Sequence, residues 1–244
     1  MADAGGQRER EKEEDDDVIC LDPSFFMNRD YEMKTFTYGS QVLNLLCSSS
    51  ASTDYDLTGQ LVWPGAVLMN TYLSEHPETV KGRSIIELGS GIGITGILCS
   101  RFCKEVVLTD HNDEVLEIIK KNIELQPSSG NAEAVLTAEK LEWGNNDHMS
   151  NIIKEHPLGF DLIVGADICF QQSSIPCLFD TVEKFLHMQS GKCRFILAYV
   201  SRAKVMDALV LKEAEKHGML VEEVDGTRTT VSRVQGVIFS ITLK

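Results

Sequence analysis

No Cys-x-x-Cys pair occurs in this chain, and its cysteines and histidines repeat at no metal-ligand spacing. The seven cysteines stand at 20, 47, 99, 103, 169, 177 and 193. An odd, scattered set argues against a disulfide framework or a zinc motif and points to reduced thiols in a reducing compartment. No apolar run reaches the roughly 18 residues a membrane span needs. The first residues also lack the apolar core of a leader peptide. The expectation is therefore no membrane segment and a place in the cytosol, the nucleus or both. Positive charge is scarce: 23 Lys and Arg stand against 37 Asp and Glu, for a net charge of −14. A phosphate backbone needs a basic surface, so nucleic acid is not the expected partner. A basic protein segment or a small molecule suits this balance better. The six histidines form no pairs, no internal repeat is visible, and nothing signals an oligomer, so a monomer is expected.

What is present suits an ordinary globular chain: 244 residues, 43% hydrophobic and 25% charged. That length can bury a full core without staples. Residues 1–17, MADAGGQREREKEEDDD, are polar and aperiodic and read as a disordered acidic tail. Residues 18–60 read as an N-terminal extension and 61–244 as the main domain. Within the extension, YEMKTFTYGSQVLNLLCS (31–48) reads as a β-hairpin turning near Tyr38, Gly39 and Ser40. Pro64 suits the first turn of a helix whose apolar stripe is Ala66, Leu68, Met69 and Leu73.

From residue 84 strands and helices alternate. SIIELG is a strand, 94–101 a helix, EVVLTD (105–110) a strand and 113–125 a helix. In that second helix Val115, Leu116, Ile119 and Ile123 face inward, with Asn112 or Asp113 as the cap. A loop with Pro127 and Gly130 leads to a short strand at 134–136. FDLIVGADICF (160–170) is apolar nearly throughout, as a parallel strand buried on both faces is. A helix at 177–188, a strand at 193–200 and a helix at 204–217 follow. The chain closes with MLVEEVD and GVIFSITLK as an antiparallel pair. This order predicts an α/β, doubly wound, Rossmann-like sheet of seven strands, mostly parallel with a reversed strand at the C-terminus. The reversed strand is not the usual dinucleotide arrangement.

The ligand of such a sheet lies beyond the strands' carboxyl ends, where strand order reverses. Residues 84–96, SIIELGSGIGITG, supply a glycine turn at that place. Two ligands compete for it. Gly91, Gly93 and Gly96 fit the dinucleotide pattern G-x-G-x-x-G, and Asp110 ends the next strand, where an acid would bind ribose hydroxyls in either case. Glu87, two positions before Gly89, weighs against a pyrophosphate and for a ligand that carries positive charge.

ELGSGIG followed by VVLTD resembles the first motif and following acid of class I S-adenosylmethionine-dependent methyltransferases, the seven-β-strand fold. LVWPGAVLMNTYL (61–73), LEWG (141–144) and FDLIVGADICF narrow the resemblance to the family-16 protein lysine methyltransferases. That group acts on an ATPase, chaperones, calmodulin and elongation factors. The resemblance covers roughly residues 30–244. It implies S-adenosylmethionine as cofactor and no metal. Trp63 would border the cofactor pocket, with Gly89, Ser90 and Gly91 beneath the methionine and ribose. Asp110 would accept from the ribose hydroxyls, and Trp143 would lie by the adenine. Ala166 and Asp167 would line the methyl-transfer end, the Asp167 carboxylate facing the substrate. The family's D-x-x-Y motif departs here to Asp167-Ile168-Cys169-Phe170, which keeps the ring and loses the hydroxyl.

The resemblance implies methyl transfer to a lysine of a protein, in a basic segment or a chaperone- or ATPase-type partner. Such a lysine must be neutral to attack, although its reference pKa is about 10.4. Rings such as Phe170 would lower it by desolvation, and Asp167 could orient the amine or accept its proton. An arginine or small-molecule methyltransferase, and a catalytically weak methyltransferase fold that serves as a binding module, stand as alternatives. Cys169, beside the site, reads as a packing residue.

Overall fold

The computed structural model describes residues 31–48, 55–126, 134–189 and 192–244. The acidic tail at 1–17, Cys20 and the loop of Pro127 and Gly130 lie outside the described residues. β1 (Tyr31–Tyr38) and β2 (Gln41–Ser48) form the hairpin, with Tyr38 opposite Gln41 and Gly39 at φ 56° in the turn. α1 (Pro64–Glu75) follows, its first turn carrying Pro64. Then come β3 (Ser84–Leu88), α2 (Ile94–Cys99), β4 (Glu105–Asp110) and α3 (Asp113–Glu124). β5 (Val135–Lys140), α4 (Asn146–Glu155), β6 (Leu162–Ala166) and α5 (Ile175–Met188) continue the alternation. β7 (Arg194–Val200), α6 (Lys204–Lys216), β8 (Met219–Glu223), β9 (Thr229–Val231) and β10 (Val234–Leu243) complete it.

The large sheet runs β5-β4-β3-β6-β7-β10-β8, and β9 pairs with β10 as an eighth strand. Pairs from β5 to β7 are parallel; β10 runs against β7, β8 and β9. The seven-strand order with one reversed strand follows the sequence pattern. The chain steps outward from β3 to β5, then returns to place β6 on the other side of β3, so the order reverses at β3.

The strands bury alternate residues on two faces, as their period of two requires. Ile85, Val106, Leu108, Leu162, Val164 and Ile196 face one core with α1, α2, α3 and the hairpin. Ile86, Val107, Ile163, Phe195 and Leu197 face the other, with α4, α5 and α6. Asn122, fully buried on α3, ties the hairpin to the glycine turn. Its Oδ1 accepts from the Leu46 amide at 2.7 Å, and its Nδ2 donates to the carbonyls of Leu46 and Ile92 at 3.0 and 2.9 Å. Among the described residues, no helix is long and apolar enough to cross a membrane.

Several boundaries differ from the sequence reading. The cap of α3 is Asn112, which accepts from the amides of Glu114 and Val115 at 2.9 and 3.2 Å, while Asp113 pairs with Lys140 at 2.7 Å. Asn122 joins the buried face of α3. β5 runs six residues, twice the expected strand, because its polar half still pairs with β4 as far as Asp110 opposite Lys140. β6 stops at Ala166, where Asp167 takes φ 61° and turns the chain away from the sheet. α5 begins at Ile175, two residues early, with Pro176 in its first turn. α4 has no counterpart in the sequence reading. It is capped by Asn145 and anchored by buried Met149 and Ile152.

Candidate active site

The glycine turn leaves β3 at the reversal point, with Gly89, Gly91 and Gly93 at φ 63°, 55° and 83°. Gly91 shows why no side chain fits. A Cβ there would lie 2.8 Å from the Gly59 carbonyl oxygen, besides straining a left-handed backbone. Ser90 staples the turn to β4: its amide donates to the Thr109 carbonyl at 2.8 Å, and its Oγ accepts from the Thr109 amide at 3.0 Å.

Above this turn opens a cavity of about 370 Å³, within the ordinary range for small-molecule sites. It is lined by Trp63, Glu87, Gly89, Ser90, Gly91, Asp110, Trp143, Ala166, Asp167 and Phe170, every site residue the sequence singled out. A second cavity of about 230 Å³ adjoins it, sharing Thr58, Trp63, Asp167 and Phe170 and adding Arg202.

Three acids of the main cavity each hold a glycine amide. Asp110, buried at the end of β4, accepts from Gly91 N through Oδ2 and from Asn112 N through Oδ1, both at 3.2 Å. His111 Nδ1 lies 3.3 Å from the same Oδ1. Glu87 accepts from Gly96 N at 2.9 Å, in the first turn of α2. It thereby supplies the cap that Gly93, at the N-cap, has no side chain to provide. Asp167 accepts from Gly65 N at 3.0 Å, in the first turn of α1, where Trp63 at the N-cap makes no side-chain cap. Its other oxygen accepts from an Arg202 guanidinium nitrogen at 2.8 Å. The buried carboxylate thus reaches the cavity already holding two donors, and it faces Gly65 and Arg202 as much as any substrate.

Burial, the largest influence, pushes the Glu87 carboxyl up to about 8, against the pull of the Gly96 amide that donates to it. It is therefore mostly neutral at pH 7. The negative charge that the sequence reading assigns to Glu87 does not come from this group at neutral pH. The other acids on the lining are Asp110, Glu142 and Asp167. Burial pushes the Cys169 thiol up to about 12, helped by the neighbouring Asp167 carboxylate, so Cys169 is an inert packing residue.

The aromatic groups sit at the rim. Trp63 Nε1 donates to the Thr58 carbonyl at 2.7 Å, and the Arg202 guanidinium lies over its ring, 5.6 Å from the centroid. Trp143 flanks the turn, with its ring edge 3.3 Å from where a Gly89 Cβ would stand. Phe170 is 41% exposed at the mouth shared by both cavities. Arg202 and Gly65 are the residues sequence reasoning missed. The signal for Arg202 was its position just past the carboxyl end of β7, on the sheet's ligand edge.

The donor set suits a ligand with a diol, a flat base and a positive centre: an acid at the end of β4, an indole beside the turn, and no Lys or Arg on the lining of the main cavity. A pyrophosphate finds four acids there and no Lys or Arg.

Among solved structures, the chain is similar to magnesium protoporphyrin IX methyltransferase from Synechocystis PCC 6803, determined with bound SAM. The TM-score is 0.51 at 11% identity, covering 80% of this chain and 86% of that one, a likeness of fold. Among characterised proteins, it is 28% identical over 179 residues to the "Protein N-terminal and lysine N-methyltransferase efm7" of Neurospora crassa, covering 68% of this chain and 63% of that protein. It is 33% identical over 139 residues to the "Protein N-lysine methyltransferase METTL21A" of Danio rerio, covering 57% and 59%. The chain thus spans less than two thirds of the length of these relatives. The profile of the family described as "Lysine methyltransferase" matches residues 41–217, a stretch that takes in the hairpin's second strand, the glycine turn and both acids at the ends of β4 and β6, and the chain belongs to that family.

Proposed function

We propose that the main cavity holds S-adenosylmethionine and that the chain methylates the side-chain nitrogen of a lysine in a protein substrate. The observation that carries this reading is the pair of joined cavities. One is walled by the glycine turn, Asp110 and Trp143, and the other opens past Trp63, Asp167 and Phe170. A donor in the first and a side chain entering through the second would meet at Asp167.

When bound, the cofactor supplies an activated methyl group on a sulfonium, so the chain's work is placement. Asp110 keeps lone pairs for a ribose diol while it holds Gly91 in place. Trp143 offers a flat apolar face to the adenine. Glu87 braces α2 beneath the turn and stands where a cationic end of the ligand would favour its ionised form. Trp63 and Phe170 wall the entrance with rings, and a lysine ammonium that sheds water against them is biased towards the neutral, attacking form. Asp167, with Gly65 and Arg202 already on its oxygens, orients the entrance rather than taking the proton. Phe170 leaves hydrogen bonding of the amine to other groups.

The substrate we propose is a protein presenting lysine in a basic segment, matched to the net charge of −14. The six described cysteines are unpaired, which fits a reducing compartment, and we place the protein in the cytosol, the nucleus or both.

The test is incubation of the protein with radiolabelled S-adenosylmethionine and fractionated lysate, followed by hydrolysis and amino-acid analysis. Label in methyl-lysine supports the reading. Label only in methylarginine or in small molecules moves the substrate class. No incorporation by a protein that binds the cofactor favours the binding-module alternative.

A further inference from the structure

The buried residues of α3 are Val115, Leu116, Ile118, Ile119 and, in the last turn, Asn122. A primary amide in that company costs free energy unless its polar atoms are bonded. Here they are. Oδ1 accepts from the Leu46 amide and Nδ2 donates to the Leu46 carbonyl, so the side chain pairs with both backbone groups of one β2 residue, as a neighbouring strand does. The second Nδ2 hydrogen goes to the Ile92 carbonyl. Ile92 stands between Gly91 and Gly93 and lines the main cavity. Its carbonyl and the Gly93 amide are the two ends of one peptide plane. The Gly93 amide donates to the Ser90 carbonyl at 2.8 Å. Asn122 therefore holds the oxygen of a plane whose nitrogen the turn holds itself. The glycines on either side, at φ 55° and 83°, carry no side chain that resists rotation of that plane.

We propose, resting on the reading of the main cavity as the S-adenosylmethionine site, that Asn122 is a positioning residue for that cofactor and couples its pocket to the N-terminal hairpin. Packing of α3 alone has no need of an amide at this place; an apolar residue would serve it. The amide fixes the turn in one shape before the ligand arrives. Without it the Ile92–Gly93 plane is free to rotate, and binding has to reorder it at a cost in affinity. The coupling runs both ways. A ligand that stills the turn stills the Ile92 carbonyl, then the Asn122 amide, then Leu46, which does not itself line the cavity. The chain just after the hairpin reaches the same turn. It forms a 3-10 helix at Tyr55–Gln60, and a Cβ on its Gly59 would lie 3.3 Å from the Gly91 Cα. The Ile92 side chain shares one core with Leu43 and Leu45 of β2. The hairpin is thus part of the pocket's support, and Asn122 is the polar link between them.

The experiment is residue-resolved amide hydrogen exchange on the full chain, wild type and Asn122→Ala, with and without S-adenosylhomocysteine, beside urea denaturation and calorimetric titration of the same ligand. In wild type the ligand is expected to slow exchange of the Leu46 amide by about fivefold or more beyond any slowing in β8, at the far edge of the sheet. In ligand-free Asn122→Ala the Gly93 amide is expected to exchange about tenfold or more faster than its loss of global stability accounts for. The Kd for S-adenosylhomocysteine is expected to rise by a similar factor. An asparagine that serves folding alone lowers the stability and leaves both of these unchanged, which overturns the proposal. So does a Leu46 amide that the bound ligand does not slow more than it slows β8, and this wild-type comparison decides if Asn122→Ala does not fold. A folded wild type that binds no S-adenosylhomocysteine sinks the cofactor reading instead. The ligand-free exchange of Gly93 then still decides whether Asn122 positions the turn.

Discussion

The amide of Gly65 donates to Asp167 Oδ2 at 3.0 Å across 102 residues of sequence. The bond brings the first turn of α1 against the carboxyl end of β6, and it needs a glycine. A Cβ on Gly65 would lie 2.6 Å from Asp167 Cβ and 2.7 Å from its amide nitrogen. Gly65→Ala therefore has to push α1 off the Asp167 turn. The expected cost is about 1–3 kcal/mol in urea denaturation, as for other forced insertions into a packed site. Unchanged stability would contradict the tight approach.

Arg202 completes the same acid's environment. It bonds the 3% exposed Asp167 side chain while covering the Trp63 ring. Arg202→Ala leaves Asp167 with one partner and loosens the entrance. Turnover is expected to fall on the order of a hundredfold, the scale of a misplaced positioning group, with cofactor affinity little changed. Equal losses in both would place Arg202 on the cofactor instead.

Glu87 gives a pH signature. Burial raises its carboxyl from 4.5 to about 8, so the folded chain holds this proton more tightly than the unfolded chain does. The stability so gained is complete below pH 4.5 and is lost as pH rises through about 8. Stability measured by urea at pH 5 and pH 8 should fall in wild type by up to about 1.4 kcal/mol per pH unit relative to Glu87→Gln. Parallel curves for the two proteins would mean the carboxyl is not protonated in the fold.

Phe170 stands at the shared mouth with its ring partly exposed. Phe170→Ala is expected to leave the S-adenosylmethionine Kd within about twofold and to lower kcat/KM for the protein substrate by about tenfold or more, the cost of losing a desolvating wall. A matching loss of cofactor affinity would place the ring on the donor side.

Much of the site was legible because its signals are local. The glycine turn, the acids that end their strands and the Asn112 cap all lie in short stretches where one element hands over to the next. What escaped was tertiary. Arg202 meets Asp167 across 35 residues, and no local pattern announces the pair. Gly65 looks like an ordinary residue after a helix-starting proline until α1 lies against Asp167. α4 went unread because NDHMSNIIKE is mostly polar, with only two buried residues. β5 was cut short because an edge strand keeps polar residues that a central strand would not. The shared habit of Glu87, Asp110 and Asp167, each gripping a glycine amide, was invisible in sequence. There the acids stood out only as groups for a ligand.

The most direct measurement is calorimetric titration of S-adenosylmethionine and S-adenosylhomocysteine, with NAD as control, into wild type and Asp110→Ala. Micromolar binding of both sulfur nucleosides, none of NAD, and loss of about tenfold or more in a folded Asp110→Ala is the expected result. A folded wild type that binds neither, or that prefers NAD, would contradict the assignment of the cavity to S-adenosylmethionine and the proposed methyl transfer with it.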